Sequence, residues 1–325
     1  MSDRPGIVVL GAEASDPPPG LDGVEEVADL TYASTLPELE GALPGTEVIF
    51  AWHAARGVLP AAWPHATDLK WIQTASAGVD WLLFPELVAS HVVVTNARGV
   101  FDEAMAEYVL GLMLAFAKGL PATLEHQRRK EWRHRDAEML DGRRLLVAGV
   151  GPIGRAIGRL AMVLGMDVRG IGRTARIGDD VFETIHGSDE LAEAVGWADW
   201  IVNALPLTED TGGLFDAAVF ARMAPKARFV NVGRGATVDQ SALIEALMEG
   251  RIAGAALDVF EQEPLAQDSP LWVLPNVLIS PHMSGNFAGW RESSVEVFLE
   301  NLVRYVSGRP LTNVVNKERG YPTGP

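Results

Sequence analysis

Three side chains that could act together on a carbonyl group each follow the end of a predicted strand. Arg234 lies in NVGRG, Glu263 ends VFEQE before a proline, and His282 lies in ISPHMSG. The carboxyl ends of parallel strands meet at one edge of a sheet, where α/β proteins bind ligands. A histidine can donate a proton to a carbonyl oxygen, a carboxylate beside it favours its charged form, and an arginine can hold a substrate carboxylate. Taken one at a time each residue also fits a structural role in a loop, so their shared location carries the prediction of carbonyl reduction.

A glycine-rich turn earlier in the chain predicts a dinucleotide site. Residues 145–148 form an apolar run typical of a buried strand, GVGPIG follows at 149–154, and apolar residues then continue at helical spacing. The first glycine permits a tight turn, the second lets backbone approach a pyrophosphate, and the third lets the helix pack on the strand. The phosphates would lie at the positive end of the helix. We expect cofactor contacts from Gly149, Gly151, Pro152, Ile153 and Gly154.

The second strand of this unit ends without the acidic residue that binds the ribose hydroxyls of NAD. The strand predicted over 168–171 is followed by Gly172 and then by Arg173, Thr174 and Arg176. A carboxylate would repel a 2′-phosphate, whereas guanidinium groups and a hydroxyl would bind one. The pattern favours NADPH over NADH; a solvated strand end is the alternative interpretation of both arginines.

The composition is that of an acidic globular chain with room for two α/β domains. It has 325 residues and no cysteine, which excludes disulfides and thiolate chemistry, and no metal site is predicted. Its net charge of −16 repels nucleic acid and anionic membranes. The basic cluster HQRRKEWRHR at 126–135 is interpreted as a solvated or subunit-contacting helix face rather than a phosphate or nucleic-acid patch. With no secretory signal and no apolar run long enough for a bilayer, we expect a cytoplasmic protein.

Alternating strands and helices predict an α/β protein with two doubly wound parallel-sheet domains. A long buried helix from Asp102 connects the two halves, and a helix from about 288 to 306 returns the chain to the first domain. We expect a discontinuous, flavodoxin-like substrate domain over 1–98 plus 290–325 and a Rossmann cofactor domain over 99–289. The predicted strands are 7–10, 47–52, 71–74 and 92–95, then 145–148, 168–171, 198–205, 228–232, 252–259 and 277–280.

The order of five motifs resembles the D-2-hydroxyacid dehydrogenases, which act with NAD(P). The motifs are GVGPIG, LPLTEDT at 205–211, NVGRG, AALDVFEQEP and SPHMSG, and the resemblance covers nearly the whole chain. It implies that Arg234 is the catalytic and substrate-binding arginine, Glu263 the acid paired to the histidine, and His282 the proton donor, which also contacts substrate. It also implies cofactor contacts, with Asp258 near the nicotinamide carboxamide, from Leu205, Pro206, Thr211, Val232, Gly233, Asp258, Ser284 and Gly285.

The same resemblance implies substrate contacts from the predicted first domain. In TASAGVD the backbone amides of Ala77 and Gly78 would hold the substrate carboxylate, at a loop where glycine allows close approach. Trp52, the missing acid after the second strand and the terminal ERGY look most similar to NADPH-dependent glyoxylate/hydroxypyruvate reductases. Trp52 is predicted to wall a pocket for a small 2-oxo acid, with a core tryptophan at a strand end as the alternative. A homodimer that packs through the cofactor domain is implied as well.

Residues and resemblance together predict an oxidoreductase. It would reduce a small 2-oxo acid, such as glyoxylate or hydroxypyruvate, to the (R)-2-hydroxy acid, with NADP(H) preferred over NAD(H). One alternative is a cofactor-sensing binding protein, similar to the transcriptional corepressors on the same scaffold. Another is an enzyme of the family with a bulkier 2-oxo acid or phosphite as substrate.

Overall fold

The chain divides into two units. The computed structural model describes residues 4–52 and 57–322. Unit 1 comprises Met1–Phe101 and Phe287–Pro325, and unit 2 comprises Asp102–Asn286. The substrate and cofactor roles expected for 1–98 plus 290–325 and for 99–289 stay predictions.

Unit 1 is built on a five-stranded parallel sheet with the order β2-β1-β3-β4-β5, which is the flavodoxin-like order. The strands are β1 (Gly6–Leu10), β2 (Asp29–Ala33), β3 (Thr46–Ala51), β4 (Trp71–Thr74) and β5 (Val93–Thr95). Sequence analysis missed β2. This strand lies at the edge of the sheet, where only its last residue is buried, so it lacks a continuous apolar run.

Short helices cover the sheet of unit 1. They are α1 (Leu36–Ala42), α2 (Val58–Ala62) and α3 (Pro85–Ala89). One face of the sheet buries Val8, Ile49 and Ile72 against Leu39 and other apolar side chains. Because both faces of the central strands are covered, their sequences are continuous apolar runs.

Unit 2 contains an eight-stranded sheet with the order β13-β12-β11-β10-β6-β7-β9-β8. The strands are β6 (Arg144–Ala148), β7 (Asp167–Ile171), β8 (Arg176–Ile177), β9 (Thr184–His186), β10 (Trp200–Asn203), β11 (Arg228–Asn231), β12 (Gly254–Leu257) and β13 (Val277–Ile279). All neighbours are parallel except β8, which pairs antiparallel with β9. The strand order reverses between β6 and β10, and ligands of open α/β sheets bind at the carboxyl edge of such a point. The doubly wound fold predicted for both units is confirmed.

Six helices connect the strands of the described part of unit 2. They are α4 (Asp102–Ala117), α5 (Leu120–Arg128), α6 (Pro152–Val163), α7 (Leu191–Ala194), α8 (Ala217–Arg222) and α9 (Gln240–Met248). No single described helix is long and apolar enough to cross a membrane; α4 and α5 reach that length only together, across a bend of 61°.

The basic cluster at 126–135 is not one helix face, so that part of the prediction is wrong. Helix α5 ends at Arg128, and residues 131–140 have no regular structure. Lys130 has a φ of 57°, which takes the chain out of the helical conformation. The side chain of Arg135 then donates to the carbonyl of Gly119 at 2.6 Å, which folds this segment back towards the start of α5.

The last helix returns the chain to unit 1. It is α10 (Trp290–Val306), followed by a two-stranded antiparallel pair, β14 (Val315–Asn316) and β15 (Tyr321–Pro322). Phe298 on α10 is fully buried and stacks on Phe50 at a centroid distance of 4.3 Å. Asn301, also fully buried, donates to Oε1 of Gln73 on β4 at 3.0 Å. These contacts fix α10 on the sheet of unit 1. The loop predicted to bind substrate, at 77–78, follows β4 of that sheet.

Candidate active site

The three glycines after β6 have three different surroundings. A Cβ on Gly149, whose φ is 104°, would lie 2.8 Å from the carbonyl oxygen of Ala204, and a Cβ on Gly154 would lie 1.8 Å from that of Gly149. A Cβ on Gly151 would meet nothing within 4 Å. Gly149 and Gly154 are therefore required by packing within the protein, whereas Gly151 leaves an open approach. This is the cradle that a pyrophosphate needs at the start of α6.

The first turn of α6 offers its amides to a ligand. Gly151 is the N-cap, Pro152 occupies the first turn, and no side chain caps the helix. Ile153 packs against the apolar core beside β6, which fixes the turn on the sheet. The residues present therefore fit a dinucleotide cofactor.

The end of β7 carries a guanidinium group in place of an acid. A Cβ on Gly172 would lie 3.2 Å from Nη1 of Arg176, so the missing side chain leaves room for the arginine to fold back over the strand end. Arg176 is the first residue of β8 and lies opposite Ile185 on the paired strand β9. Arg173 and Thr174 are exposed in the connection before β8. Sequence analysis identified these residues but missed the two short strands that hold Arg176.

Glu263 and His282 form a direct pair. His282 Nδ1 lies 2.7 Å from Glu263 Oε2, and the amide of Phe260 donates to Glu263 Oε1 at 3.0 Å. Burial raises the pKa of Glu263, but the hydrogen bonds from His282 and Phe260 outweigh it, so the pKa of Glu263 lies below its usual value. The positive charge of Arg234 lowers that pKa further. Two groups predicted to act together are thus bonded, and the third is close enough to act electrostatically on Glu263.

A buried carboxylate organises the loop that carries His282. Asp258 follows β12 and is fully buried; its oxygens accept from the hydroxyl of Ser280 at 2.6 Å and from the amides of Met283 and Ser284 at 2.9 and 2.8 Å. Its own carbonyl accepts from the amide of His282 at 2.8 Å. His282 has a φ of 50°, an unusual value for a residue with a side chain, and the bonds around it hold that conformation. These contacts give Asp258 a structural role; the contact with the nicotinamide stays a prediction.

A buried polar network fixes the loop of Arg234, and sequence analysis missed it. Asn203 at the end of β10 donates to Asn231 Oδ1 at 3.0 Å and to Thr237 Oγ1 at 2.7 Å. The hydroxyl of Thr237 donates to the carbonyl of Arg234 at 2.6 Å, and Asn231 Oδ1 accepts from the amide of Gly233 at 3.1 Å. The available signal was an asparagine at the end of each of two neighbouring strands, in IVNA and FVNV.

The glycines beside Arg234 bring neighbouring loops together. A Cβ on Gly233 would lie 2.6 Å from the carbonyl oxygen of Leu205, and a Cβ on Gly235 would lie 1.8 Å from the carbonyl carbon of Phe260. The arginine loop therefore packs against the loop that leads to Glu263.

The other predicted cofactor residues lie at or near the same edge. Leu205 and Pro206 lie in the loop after β10, and the hydroxyl of Thr211 donates to the carbonyl of Pro206 at 2.7 Å, closing that loop on itself. Val232 is buried, as is Ser284, and Gly285 next to it is partly exposed. Within residues 4–52 and 57–322, no three His, Asp or Glu side chains are grouped as a metal site requires.

The predicted substrate loop of unit 1 follows β4. The amide of Ala75 donates to the carbonyl of Ala51 at 3.0 Å, so Trp52 and the loop with Ala77 and Gly78 leave the sheet from adjacent strands at one edge. Trp52 is 8% exposed and stacks on Trp290 at 5.9 Å. Its ring also lies 5.7 Å from that of Phe50, within a buried apolar cluster, and its role as a pocket wall stays a prediction.

Comparison with known proteins identifies what this chain is similar to. The family profile described as D-isomer specific 2-hydroxyacid dehydrogenase, NAD binding domain, matches residues 110–284. A glyoxylate reductase of Korarchaeum cryptofilum is 33% identical over 261 residues, which are 78% of this chain and 78% of that protein. A D-3-phosphoglycerate dehydrogenase of Methanocaldococcus jannaschii is 34% identical over 255 residues, 77% of this chain but only 48% of that longer protein.

A solved structure extends the similarity to both units. The NADPH-dependent glyoxylate/hydroxypyruvate reductase of Sinorhizobium meliloti, in complex with NADP and sulfate, superposes with a TM-score of 0.85 at 29% identity. The superposition covers 98% of this chain and 100% of that one. The resemblance drawn from the five motifs is thereby confirmed.

Proposed function

The chain belongs to the D-isomer specific 2-hydroxyacid dehydrogenase family, and we propose that it reduces a small 2-oxo acid to the (R)-2-hydroxy acid with NADPH. Glyoxylate and hydroxypyruvate are the substrates we favour. The observation that carries the proposal is the hydrogen-bonded pair of Glu263 and His282, with the charge of Arg234 acting on it. An imidazole held by a carboxylate is the proton donor that carbonyl reduction needs.

His282 would donate the proton. Its Nδ1 is bonded to Glu263, so Nε2 is the nitrogen that would give a proton to the carbonyl oxygen, leaving the ring neutral. The His282 side chain is 48% exposed, which leaves it accessible to a substrate. A nicotinamide cofactor, when bound, supplies the hydride that reduces the carbonyl carbon. The ionised Glu263 holds the ring in one orientation.

Arg234 would bind the 2-oxo acid. A guanidinium group can form two hydrogen bonds with a carboxylate and can stabilise charge that develops on a carbonyl oxygen. The buried network of Asn203, Asn231 and Thr237 fixes the backbone from which it extends. In unit 1, we propose that the amides of Ala77 and Gly78 hold the substrate carboxylate and that Trp52 limits the size of the substrate.

NADPH is the cofactor we favour. Gly151 and the first turn of α6 would hold the pyrophosphate, and Arg173, Thr174 and Arg176 would hold the 2′-phosphate. The guanidinium of Arg176 over Gly172 supports this choice because it occupies the strand end where an NAD site has an acid. The relative in Sinorhizobium meliloti was solved with NADP.

A second copy of this chain is the partner that we propose for unit 2. We call residues 129–140 the arm. Arg135 ties it to Gly119, and Arg228 holds Glu138 in two hydrogen bonds of 2.8 and 3.0 Å. Trp132 lies between the end of α5 and these attachments and is fully exposed, as is typical of an aromatic anchor at a protein interface. The positive charges around it would meet a chain of net charge −16.

Turnover with a panel of substrates tests the proposed function. The purified protein is given NADPH or NADH together with glyoxylate, hydroxypyruvate, pyruvate, phenylpyruvate or 4-methyl-2-oxopentanoate, and loss of the reduced cofactor is followed. We expect the highest kcat/KM for the two small substrates with NADPH. A higher kcat/KM with phenylpyruvate, or equal use of NADH, would contradict the substrate or the cofactor assignment. Cofactor binding without any turnover would support the cofactor-sensing alternative.

A further inference from the structure

Three consecutive carbonyls in the loop after β4 are each held by a hydrogen bond. The carbonyl of Ser76 accepts from the amide of Ala97 at 3.0 Å. The carbonyl of Ala77 accepts from Nδ2 of Asn96 at 2.6 Å, and that of Gly78 accepts from the hydroxyl of Ser76 at 2.7 Å. Two of the three donors are side chains, so their identity can be changed without altering the backbone.

A hydrogen bond that fixes a carbonyl also fixes the direction of the N–H group in the same peptide unit, which belongs to the next residue. In a trans peptide the C=O and N–H bonds point in opposite directions. The amides of Ala77, Gly78 and Val79 therefore point away from the groups that hold the three carbonyls. Across residues 4–52 and 57–322, nothing accepts a hydrogen bond from any of these three amides. They are directed donors that an anion could use.

Asn96 is itself held in one orientation. It follows β5 and is 2% exposed, and its Oδ1 accepts from the amide of Arg98 at 3.2 Å. Because Oδ1 accepts that hydrogen bond, Nδ2 is the side-chain atom that donates to the carbonyl of Ala77. The short distance and the burial make this contact the main constraint on the Gly78 amide.

Ser76 is fixed by its neighbours as well. Its Oγ accepts from Nε1 of Trp81 at 3.3 Å and lies 2.9 Å from Oγ1 of Thr74. Because the single hydroxyl hydrogen of Ser76 goes to the carbonyl of Gly78, Thr74 is the donor in the second contact. The hydroxyl therefore has one hydrogen-bond arrangement, and it constrains the amide of Val79.

We propose that Asn96 and Ser76 are positioning residues that aim the amides of Gly78 and Val79 at the substrate carboxylate. The inference rests on the proposed function, in which the loop of Ala77 and Gly78 binds that carboxylate, and it adds Val79 to the donors. Neither side chain needs to touch substrate, because each acts through a carbonyl. Directed donors bind an anion without a cost of reorganisation, so loss of either side chain weakens anion binding.

The test measures anion affinity separately from turnover. The variants Asn96→Ala and Ser76→Ala each remove one of the two side-chain donors. KM and kcat are measured with glyoxylate, Kd is measured for oxalate on the protein saturated with NADPH, and Kd is measured for NADPH alone. We expect KM and the oxalate Kd to rise about tenfold, the size of one weakened hydrogen bond to a charged group. We expect kcat to change less than about threefold and the NADPH Kd, a property of unit 2, to stay the same.

Two control variants remove similar hydrogen bonds elsewhere. Ser90→Ala deletes a hydroxyl that donates to the carbonyl of Leu87 at 2.8 Å, and Asn276→Ala deletes an amide that donates to the carbonyl of Leu247 at 3.4 Å. Both are expected to keep the wild-type KM and oxalate Kd.

The outcomes separate the inference from the proposed function. Unchanged KM and oxalate Kd in both test variants, or an equal rise in the controls, would overturn the inference. If Asn96→Ala does not fold, the KM and oxalate Kd of Ser76→Ala alone test the inference. If the wild-type protein reduces no 2-oxo acid, the proposed function fails, and the oxalate Kd still tests the positioning.

Discussion

At His282 the two ring nitrogens have different tasks. Nδ1 is committed to Glu263 at 2.7 Å, and the left-handed backbone conformation is held by the bonds around Asp258. The lowered pKa of Glu263 keeps its carboxylate ionised through the neutral range. The hydrogen bonds to that carboxylate stabilise the fold above the unfolded pKa of the carboxyl, and this contribution is lost as the pH falls through the lower folded value.

Removing the charge of Glu263 tests this pair. In Glu263→Gln the ring loses the charged acceptor that holds Nδ1 at 2.7 Å, so we expect kcat/KM for glyoxylate reduction to fall about ten- to a hundredfold. Steady-state kinetics at neutral pH measure the effect.

Glu261→Gln is the matched control. Glu261 lies two positions away, and its Oε1 accepts from the amide of Gln240 at 2.9 Å, a bond that glutamine can still accept. We expect this variant to keep the wild-type kcat/KM. An equal fall in both variants would show that general charge, and not the bond to His282, sets the rate.

Among the elements, the turn between β6 and α6 shows what local sequence can and cannot predict. GVGPIG predicts the turn because the strand, the spacing of the glycines and the helix are all local in sequence, and Gly154 packs on Gly149 within the motif itself. The contact that requires Gly149 comes from Ala204, which the motif does not report. The pair of β8 and β9 was missed because these strands have two and three residues and no apolar run. The network of Asn203, Asn231 and Thr237 was missed because it joins residues 28 and 34 positions apart. Contacts of that range depend on strand order, which single motifs do not report.

Two glycine substitutions should separate packing from cofactor binding. Gly154→Ala places a methyl 1.8 Å from the carbonyl oxygen of Gly149, so we expect α6 to shift, stability to fall by about 2–4 kcal/mol, and NADPH binding to be lost. Gly151→Ala meets nothing within 4 Å and has an ordinary φ of −75°, so its Tm should stay unchanged. Its methyl would nevertheless obstruct the pyrophosphate, and the NADPH Kd should rise at least about tenfold.

Thermal unfolding and NADPH titration of both variants give the comparison. A Gly151→Ala protein that binds NADPH as tightly as the wild type would contradict the cradle assigned to this turn.

For the whole molecule, charge and exposed apolar surface bear on assembly. The net charge of the chain is −16, yet the arm at 129–140 contains most of the basic cluster and exposes Trp132 completely. Glu131 lies 2.7 Å from Nδ1 of His126, and Arg135 and Glu138 bond to Gly119 and Arg228, so the tryptophan is presented by an ordered segment and not by a free tail. These features are the basis for proposing a second copy of the chain as its partner.

Trp132→Ala should weaken self-association. We expect the wild-type protein to have the mass of a dimer in light scattering and the variant to dissociate at least about thirtyfold more readily, because a buried interface tryptophan contributes 2 kcal/mol or more. Trp272→Ala, which removes another exposed tryptophan of unit 2, is the control. A monomeric wild-type protein, or equal dissociation of both variants, would contradict the proposed dimer.

The role of His282 as proton donor is tested most directly by the rate of glyoxylate reduction in His282→Ala at saturating NADPH. We predict a rate about a hundred- to ten-thousandfold below that of the wild type, with NADPH bound as tightly as before. A variant that reduces glyoxylate at a near-normal rate would contradict the assignment.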